Sequence, residues 1–202
     1  PFPLAAGIAK AIQLKGGDEI SICFLGDAAN NQGTFHETLN MAALYKLPVL
    51  FVCENNQYGI GTAIDRSTAV LDQFKRVCGY DIAASQCDGQ DFDVVHEHAK
   101  KAVAHVRNGN GPYFLELMTY RYRGHSMSDS RGYRTREEEE LWKQRDPIFI
   151  LRDRLIDAGA MTLDEFHALE KDTDHYIENE VIKFAEESPE PNVADLEKYV
   201  LA

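Results

Sequence analysis

The chain has 202 residues, of which 44% are hydrophobic, and this suits a single domain with its own core. Its formal net charge of −12 argues against nucleic acid and anionic membranes as partners. The longest apolar run, residues 47–53, is far too short to span a bilayer. The four cysteines have neither the spacing of a disulfide framework nor that of a zinc site, which favours a reducing compartment over secretion.

The first part of the chain predicts a strand–helix–strand unit, which follows a helix-like stretch at residues 4–9. Two short apolar runs, residues 20–26 and 48–55, have the β-branched and aromatic composition that is typical of strands buried on both faces of a parallel sheet. Residues 31–46 predict a helix, because four apolar side chains fall on one stripe: Phe35, Leu39, Ala42 and Ala43.

An oxygen-bearing side chain follows each of these strands: Asp27 the first and Asn56 the second. In parallel sheets, ligands bind at the carboxyl ends of the strands. A carboxylate and an amide oxygen beside a helix amino terminus suit a magnesium–diphosphate, because Mg²⁺ prefers oxygen ligands and helix N–H groups bind phosphate oxygens. Two plainer interpretations stay open: Asp27 as a helix N-cap, and Asn55–Asn56 as a turn.

The middle of the chain predicts further α/β elements and then a long loop. The expected elements are a helix at residues 71–76, a strand at 82–86, a helix from Asp91 to a terminator at 108–112, and a strand at 113–118. The loop at residues 119–136 has a length that is typical of functional or disordered segments.

Capping patterns predict that the rest of the chain is helical. Residues 135–138 and 162–165 have the pattern of capping boxes, and Asp146–Pro147 that of an N-cap followed by proline. The last helix is expected to run to about Glu187, with six apolar side chains inward: Phe166, Leu169, Tyr176, Ile177, Val181 and Phe184.

The predicted fold class is therefore α/β, with a mostly parallel sheet flanked by helices and a helical carboxyl-terminal extension. We expect a single domain over residues 1–202. Its α/β core and active-site loop would occupy residues 1–145, and the helical extension residues 146–202.

The long loop is a cationic segment in an acidic chain. Residues 121–136 carry five arginines (121, 123, 131, 134 and 136) against one carboxylate, that of Asp129. Such a loop either binds an anion or makes ordinary surface ion pairs, and the residues alone leave both open. His125 lies among these arginines, which favours a functional role, whereas Ser126 by itself is an ordinary loop serine.

Three blocks of sequence, taken in order, resemble a known family. Residues 26–33 and 54–59 are similar to the thiamine diphosphate signature, in which Gly-Asp-Gly is followed along the chain by Asn-Asn. Residues 120–129 and 133–138 resemble the alpha subunit of the decarboxylating component of 2-oxo acid dehydrogenase complexes, most of all the pyruvate enzymes. Residues 40–48 fit the same family.

The resemblance implies a thiamine diphosphate-binding fold, with thiamine diphosphate and Mg²⁺ as cofactors. The implied metal ligands are the Asp27 carboxylate, the Asn56 side-chain oxygen and the Tyr58 backbone carbonyl. His125 has the implied catalytic role, and Ser126 corresponds to a serine that is phosphorylated in the mitochondrial enzymes. The implied cofactor-binding residues are Gly26, Asp27, Ala28, Ala29, Asn56, Arg121 and His125.

The chain departs from the family pattern in three places. Ala28 stands where the signature normally has glycine, so the backbone is strained there if the position needs a positive φ. No serine precedes Tyr133, so a second phosphorylation site of the family is expected to be absent. The family has a long segment before the point where Pro1 begins, so we expect this chain to be a fragment that lacks it.

The activity implied by the resemblance is oxidative decarboxylation of a 2-oxo acid, above all pyruvate, with transfer of the acyl group to a lipoyl group. The implied partners are a beta subunit, in an α2β2 heterotetramer, and a lipoyl-bearing acyltransferase. The cytoplasm of a bacterium or the mitochondrial matrix of a eukaryote is the expected location. Two alternatives stay open: a branched-chain 2-oxo acid or acetoin dehydrogenase alpha subunit, and a non-catalytic diphosphate-binding assembly subunit.

Overall fold

A computed structural model describes residues 1–198 and 200. Within these residues, four strands form a parallel sheet in the order β1–β2–β6–β5, and two short strands form an antiparallel hairpin, β3–β4. The strands are β1 (Ser21–Gly26), β2 (Val49–Asn55), β3 (Tyr58–Gly59), β4 (Thr62–Ala63), β5 (Ala83–Asp88) and β6 (Tyr113–Met118). The predicted mostly parallel sheet is confirmed, and the small hairpin is an element that the sequence did not predict.

The helices flank this sheet and fill the carboxyl-terminal part of the chain. They are α1 (Phe2–Lys15), α2 (Gly33–Leu44), α3 (Ile64–Ser67), α4 (Gln73–Arg76), α5 (Phe92–Arg107), α6 (Arg136–Lys143), α7 (Pro147–Asp157), α8 (Leu163–Tyr176) and α9 (Lys183–Glu187). Short 3₁₀ turns cover Asp27–Asn31, Val77–Tyr80 and Val193–Asp195, and a π-helical turn covers Ile177–Ile182. Among the residues that the structure describes, no helix is both long and apolar enough to cross a membrane.

The β2 strand lies between two apolar cores. Phe51 faces the larger core, which α1 and α2 complete on one side of the sheet. Leu50 and Val52 face the other core, to which α5 contributes Ala102 and Val106. Burial on both faces is thus confirmed for β2, and this central position fixes where its polar carboxyl end emerges.

The same expectation is wrong for β1, which is an edge strand of the sheet. Its residues alternate between buried and exposed, and Ile22 and Phe24 are 46% and 62% exposed. The apolar composition of β1 matched that of a strand covered on both sides, but within the described chain the second face of β1 is open.

Of the three caps predicted for the carboxyl-terminal helices, two form as predicted. Thr162 and Glu165 form a complete capping box, and Asp146 accepts a hydrogen bond from the Ile148 N–H at 2.9 Å. At α6 the Thr135 hydroxyl accepts from the Glu138 N–H at 3.1 Å, but the Glu138 carboxylate turns away to another partner, so only half of that box forms.

The chain forms two compact units, Pro1–Leu151 and Arg152–Ala202, and the division between them falls inside α7. The domain bounds expected from the sequence stay a prediction. In the second unit Phe166 is buried, as expected. The five further apolar side chains that we expected inward are exposed in this chain: Leu169, Tyr176, Ile177, Val181 and Phe184.

Candidate cofactor site

The carboxyl ends of β1 and β2 bring Asp27 and Asn56 to the same edge of the sheet. The two strands are parallel neighbours, with Gly26 paired to Glu54, so each polar residue emerges just beyond its strand. The backbone N–H groups of Asp27 and Asn56 both lie close enough to the Asp27 carboxylate to lower its pKa. The predicted convergence of these two residues is therefore what the fold produces.

Asp27 is a buried carboxylate without a cation. It is only 2% exposed, and within residues 1–198 and 200 it forms no ion pair with Lys, Arg or His. Burial is the main cause that raises its pKa, and the nearby N–H groups only partly oppose that rise. Buried charges in proteins are normally paired or coordinate metals, so a divalent cation would supply the missing positive charge.

The residues at the carboxyl end of β2 form two successive turns stabilised by side-chain oxygens. The Asn55 Oδ1 accepts the Gln57 N–H at 3.1 Å, and the Asn56 Oδ1 accepts the Tyr58 N–H at 3.2 Å. Gln57 adopts φ 69°, which such a tight turn requires. The turn interpretation is thus confirmed, and it is compatible with metal binding because an amide oxygen has a second lone pair.

The donor set at this edge fits Mg²⁺. It offers one carboxylate, one amide oxygen and backbone carbonyls, and Mg²⁺ completes such partial sets with phosphate oxygens and water. Among the described residues, no group of three or more His, Cys, Asp and Glu side chains could hold a metal ion. The proposed site uses only one carboxylate from the protein, that of Asp27, so it does not require a cluster of three His, Cys, Asp or Glu side chains.

Ala28 lies in the 3₁₀ turn with an ordinary backbone conformation. The non-glycine residues with positive φ in the described chain are Lys46, Gln57, Ile60, Asp81 and Arg131, so the expected strain at Ala28 does not arise. Its methyl group instead faces Gly59, where an added Cβ would lie 2.5 Å from the Ala28 Cβ.

The other two residues expected to line the diphosphate lie on either side of Asp27 and Ala28. Gly26 is the half-buried last residue of β1, and Ala29 packs its side chain against the larger apolar core. Both can offer only backbone atoms to a ligand, which agrees with the role expected for them.

Asp129 organises the tip of the loop that follows β6. Its carboxylate accepts hydrogen bonds from the His125 N–H at 2.8 Å, the Arg131 N–H at 2.9 Å and the Tyr133 hydroxyl at 2.8 Å. These donors, with the His125 N–H first, lower the pKa of Asp129 to about 2. The sequence marked this residue only as the one acid of the loop, although an Asp among Gly and Ser residues is a known signal for such turns.

His125 is exposed at this tip, beside Arg121. The Arg121 Nη1 lies 3.3 Å from the His125 Nδ1. A guanidinium can only donate, so the Nδ1 must accept, and this assigns the proton of the neutral ring to Nε2. Within the described residues, neither His125 nor Arg121 forms a hydrogen bond or an ion pair with Asp27 or Asn56, so the structure forms two groups of candidate residues rather than one.

Arg134 anchors the base of the loop. Its side chain is 0% exposed, and its guanidinium donates to the Glu139 carboxylate at 2.8 Å and to the backbone carbonyls of Arg121 and Tyr122. It also lies over three tyrosine rings, those of Tyr58, Tyr120 and Tyr133, at 5.3–5.8 Å. The loop base is thereby attached to Tyr58 of the β3–β4 hairpin.

Glu139 neutralises two of the five loop arginines. Its second carboxylate oxygen accepts from the Arg131 Nη1 at 2.8 Å. In the part of the chain that the structure describes, Arg123 and Arg136 form no ion pair. The interpretation as surface ion pairs therefore holds for Arg131, while the charges of Arg121, Arg123 and Arg136 stay available to an anion.

Comparison with known proteins agrees with this geometry. The family described as "Dehydrogenase E1 component" matches residues 2–194. The chain is 44% identical over 196 residues to the mitochondrial somatic-form pyruvate dehydrogenase E1 component subunit alpha of Bos taurus, which covers 96% of this chain and 50% of that protein. It is 42% identical over 194 residues to the pyruvate dehydrogenase E1 component subunit alpha of Rickettsia felis and to that of Rhizobium meliloti, covering 59% and 56% of those proteins.

The chain thus spans about half the length of the curated relatives that it matches. The match to the family nevertheless runs through both strand ends and the arginine loop. This chain belongs to the dehydrogenase E1 component family.

Proposed function

We propose that this chain is the cofactor-anchoring part of a pyruvate dehydrogenase E1 alpha subunit. The protein would be an oxidoreductase that decarboxylates pyruvate oxidatively and passes the acetyl group to a lipoyl group. The names of the relatives from animals and bacteria support this substrate. The observation that carries the proposal is the buried Asp27 carboxylate, which has no cationic side-chain partner among the described residues and lies beside the Asn56 backbone N–H at two neighbouring strand ends.

The proposed cofactors are thiamine diphosphate and Mg²⁺. Asp27 and Asn56 would bind the metal through side-chain oxygens and Tyr58 through its backbone carbonyl. When bound, thiamine diphosphate supplies the electron sink that decarboxylation of a 2-oxo acid needs. The diphosphate would be lined by backbone atoms of Gly26, Ala28 and Ala29, at the start of the 3₁₀ turn that leads into α2.

The loop at residues 119–136 would supply the side chains that lie at the reacting end of the cofactor. His125 has its Nδ1 occupied by Arg121, so its Nε2–H is the donor that the ring presents outward. Such a donor can stabilise an oxygen on which negative charge develops. Arg121 therefore acts on the chemistry by fixing the His125 tautomer, in addition to its own positive charge.

The partners proposed are a beta subunit, in an α2β2 arrangement, and a lipoyl-bearing acyltransferase. The beta subunit would supply the carboxylate that activates the cofactor. Depending on the source organism, the location would be the bacterial cytoplasm or the mitochondrial matrix.

Ser126 is proposed as a phosphorylation site. It is exposed, and its Oγ lies 3.1 Å from the Ser128 Oγ. A phosphate would add about −1.5 to −2 charges next to His125. We expect Ser126→Glu to lower turnover and Ser126→Ala to preserve it, and equal turnover of both variants would contradict the proposal.

The experiment that tests the proposed function uses the natural full-length chain together with the subunits that co-purify with it. Calorimetry should detect thiamine diphosphate binding that requires Mg²⁺ and that is lost in Asp27→Ala and in Asn56→Ala. The thermal stability of the free protein should survive in both variants, because both residues lie at the sheet rim. Unchanged affinity in both variants would refute the metal assignment.

Substrate assays then separate the remaining alternatives. We expect the protein to turn over pyruvate much faster than branched-chain 2-oxo acids or acetoin. Faster turnover of one of those substrates would instead assign the protein to the corresponding alternative within the family. The non-catalytic alternative is favoured only by Ala28, which replaces the glycine of the signature, and the ordinary backbone conformation of Ala28 weakens that support.

A further inference from the structure

Glu116 is a second buried carboxylate behind the candidate cofactor site. It lies in β6, paired with Cys53 of β2 and Gln86 of β5, and its side chain is 0% exposed. Within the described chain it forms no ion pair. Since an unpaired buried charge is costly, a purely structural role would be served better by a neutral residue.

The hydrogen bonds of Glu116 lead directly to the turn after β2. Its Oε1 accepts from the Asn55 Nδ2 at 2.7 Å, the shortest of these contacts. Its Oε2 accepts from the Phe74 N–H at 3.0 Å and from the Gln86 Nε2 at 3.1 Å. Both oxygens therefore act as acceptors, which an ionised carboxylate can do and a side-chain amide cannot.

Asn55 transmits this arrangement to the metal-binding turn. Its amide group donates to Glu116, so its Oδ1 must face the other way, where it accepts the Gln57 N–H at 3.1 Å. Gln57 lies between Asn56 and Tyr58, the two proposed ligands from this turn. The orientation of Asn55 thus determines a hydrogen bond inside the turn that presents both of them.

Glu116 also acts on the site through its charge. It is close enough to Asp27 to raise the pKa of that carboxyl, although burial of Asp27 is the larger cause. Two buried carboxylates on one side of the site produce a negative potential that favours a divalent cation.

We propose that Glu116 is a positioning residue for the magnesium site, which it serves by orienting Asn55 and by adding negative charge behind Asp27. This inference rests on the proposed function, because it assumes that Asp27 and Asn56 bind Mg²⁺ with thiamine diphosphate. Glu116 itself does not touch the metal in this proposal.

Glu116→Gln is the sharpest single test. The Phe74 N–H cannot rotate, so the new amide must keep its oxygen towards Phe74 and turn its NH₂ towards Asn55. Asn55 must then reverse, which places its own NH₂ against the Gln57 N–H. The variant therefore preserves volume and removes the charge while disrupting the turn after β2.

The double variant Asn55→Asp with Glu116→Gln is the matched rescue. The carboxylate introduced at position 55 can accept both from the amide introduced at position 116 and from the Gln57 N–H. Every hydrogen bond then has a partner again, and the negative charge is restored on the neighbouring strand. Gln86→Leu is the control, because it removes a donor to the Glu116 carboxylate without touching the Asn55 contact.

The measurement is calorimetric binding of thiamine diphosphate at increasing Mg²⁺, with the natural full-length chain and its co-purifying subunits. The thermal midpoint of the cofactor-free protein is recorded in parallel. We expect Glu116→Gln to raise the Mg²⁺ concentration for half-maximal binding at least tenfold. The double variant and Gln86→Leu should stay within about threefold of the original protein, which is about 0.7 kcal/mol.

Three outcomes would overturn the proposal. One is an unchanged Mg²⁺ requirement in a folded Glu116→Gln variant, and another is a loss in Gln86→Leu as large as that in Glu116→Gln. The third is failure of both Glu116→Gln and the rescue variant to fold, which would make the network a folding element. If the original protein itself binds no thiamine diphosphate with Mg²⁺, the proposed function fails, and that result is distinct from all three.

Discussion

The contact between Ala28 and Gly59 allows a quantitative test of how the 3₁₀ turn after β1 packs on the β3–β4 hairpin. A Cβ on Gly59 would lie 2.5 Å from the Ala28 Cβ, whereas carbon atoms in contact lie about 3.5–4.0 Å apart. Gly59→Ala must therefore separate the two segments by about 1 Å. Gly59 does not have a positive φ, so the substitution tests crowding and not backbone strain.

Overpacking of this kind costs about 1–3 kcal/mol. At about 2–4 °C per kcal/mol for a protein of this size, the thermal midpoint should fall by roughly 2–12 °C in Gly59→Ala. Ala28→Gly alone should cost about 1 kcal/mol or less, since glycine only loses more backbone entropy. It should also preserve or tighten cofactor binding, because glycine permits every backbone geometry that alanine does.

The decisive variant combines Ala28→Gly with Gly59→Ala, which moves the methyl group from one side of the contact to the other. It should recover most of the loss, with a coupling energy of about 1–3 kcal/mol in the double-mutant cycle. Differential scanning calorimetry of all four proteins, free of cofactor, measures this. Additive effects would refute the reasoning, because they would mean that the two positions do not contact each other.

Three further predictions concern the arginine loop. Asp129 has a folded-state pKa of about 2, below the ordinary 3.8, so its contribution to loop order is complete above pH 3.8 and is lost as the pH falls towards 2. Hydrogen exchange at the His125 amide should show this loss, and Asp129→Asn should abolish the pH dependence. Arg134→Met should destabilise the protein by about 2 kcal/mol. This is below the range of about 3–5 kcal/mol for a broken buried pair, because Arg131 still neutralises Glu139. Urea unfolding measures the loss, and Arg134→Lys should restore part of it. In the cofactor-free assembly, trypsin should cleave the bond after Arg123 much faster than the bond after Arg134. Cofactor with Mg²⁺ should protect the bond after Arg123. Equal cleavage rates at the two bonds would contradict the burial of the Arg134 side chain.

The sequence was sufficient to predict the sheet and the polar ends of its strands, because those features are local. The run that becomes β2 carries its own apolar composition, and it ends at Asn55, directly before Asn56. The loop was also visible, since a break between β6 and α6 needs no tertiary information. A magnesium–diphosphate was predicted from the strand ends themselves, whereas thiamine diphosphate and the individual ligand roles came from the resemblance to a family. Both are proposals for this chain.

The sequence could not reveal the contacts that join distant segments. In the sequence, Glu116 is one polar residue in an apolar strand. Its hydrogen bond to Asn55 joins residues that are 61 positions apart. In the sequence, Glu139 is one of several acidic residues at the start of a helix. Only the structure shows that it forms ion pairs with Arg131 and Arg134. The exposed face of β1 was missed for a related reason, because apolar composition does not say whether anything covers a strand.

Glu138 could serve either its own helix start or the β3–β4 hairpin, and in this structure it serves the hairpin. As the third residue of α6 it could close the capping box on the Thr135 N–H, but its carboxylate accepts the Tyr58 hydroxyl at 2.8 Å instead. Helix α6 therefore begins with only half of the capping box that its sequence allows, and the hairpin binds the carboxylate that would complete it. If the hairpin moved away, we would expect Glu138 to complete the capping box, and the new hydrogen bond would offset part of the free energy lost with the Tyr58 contact.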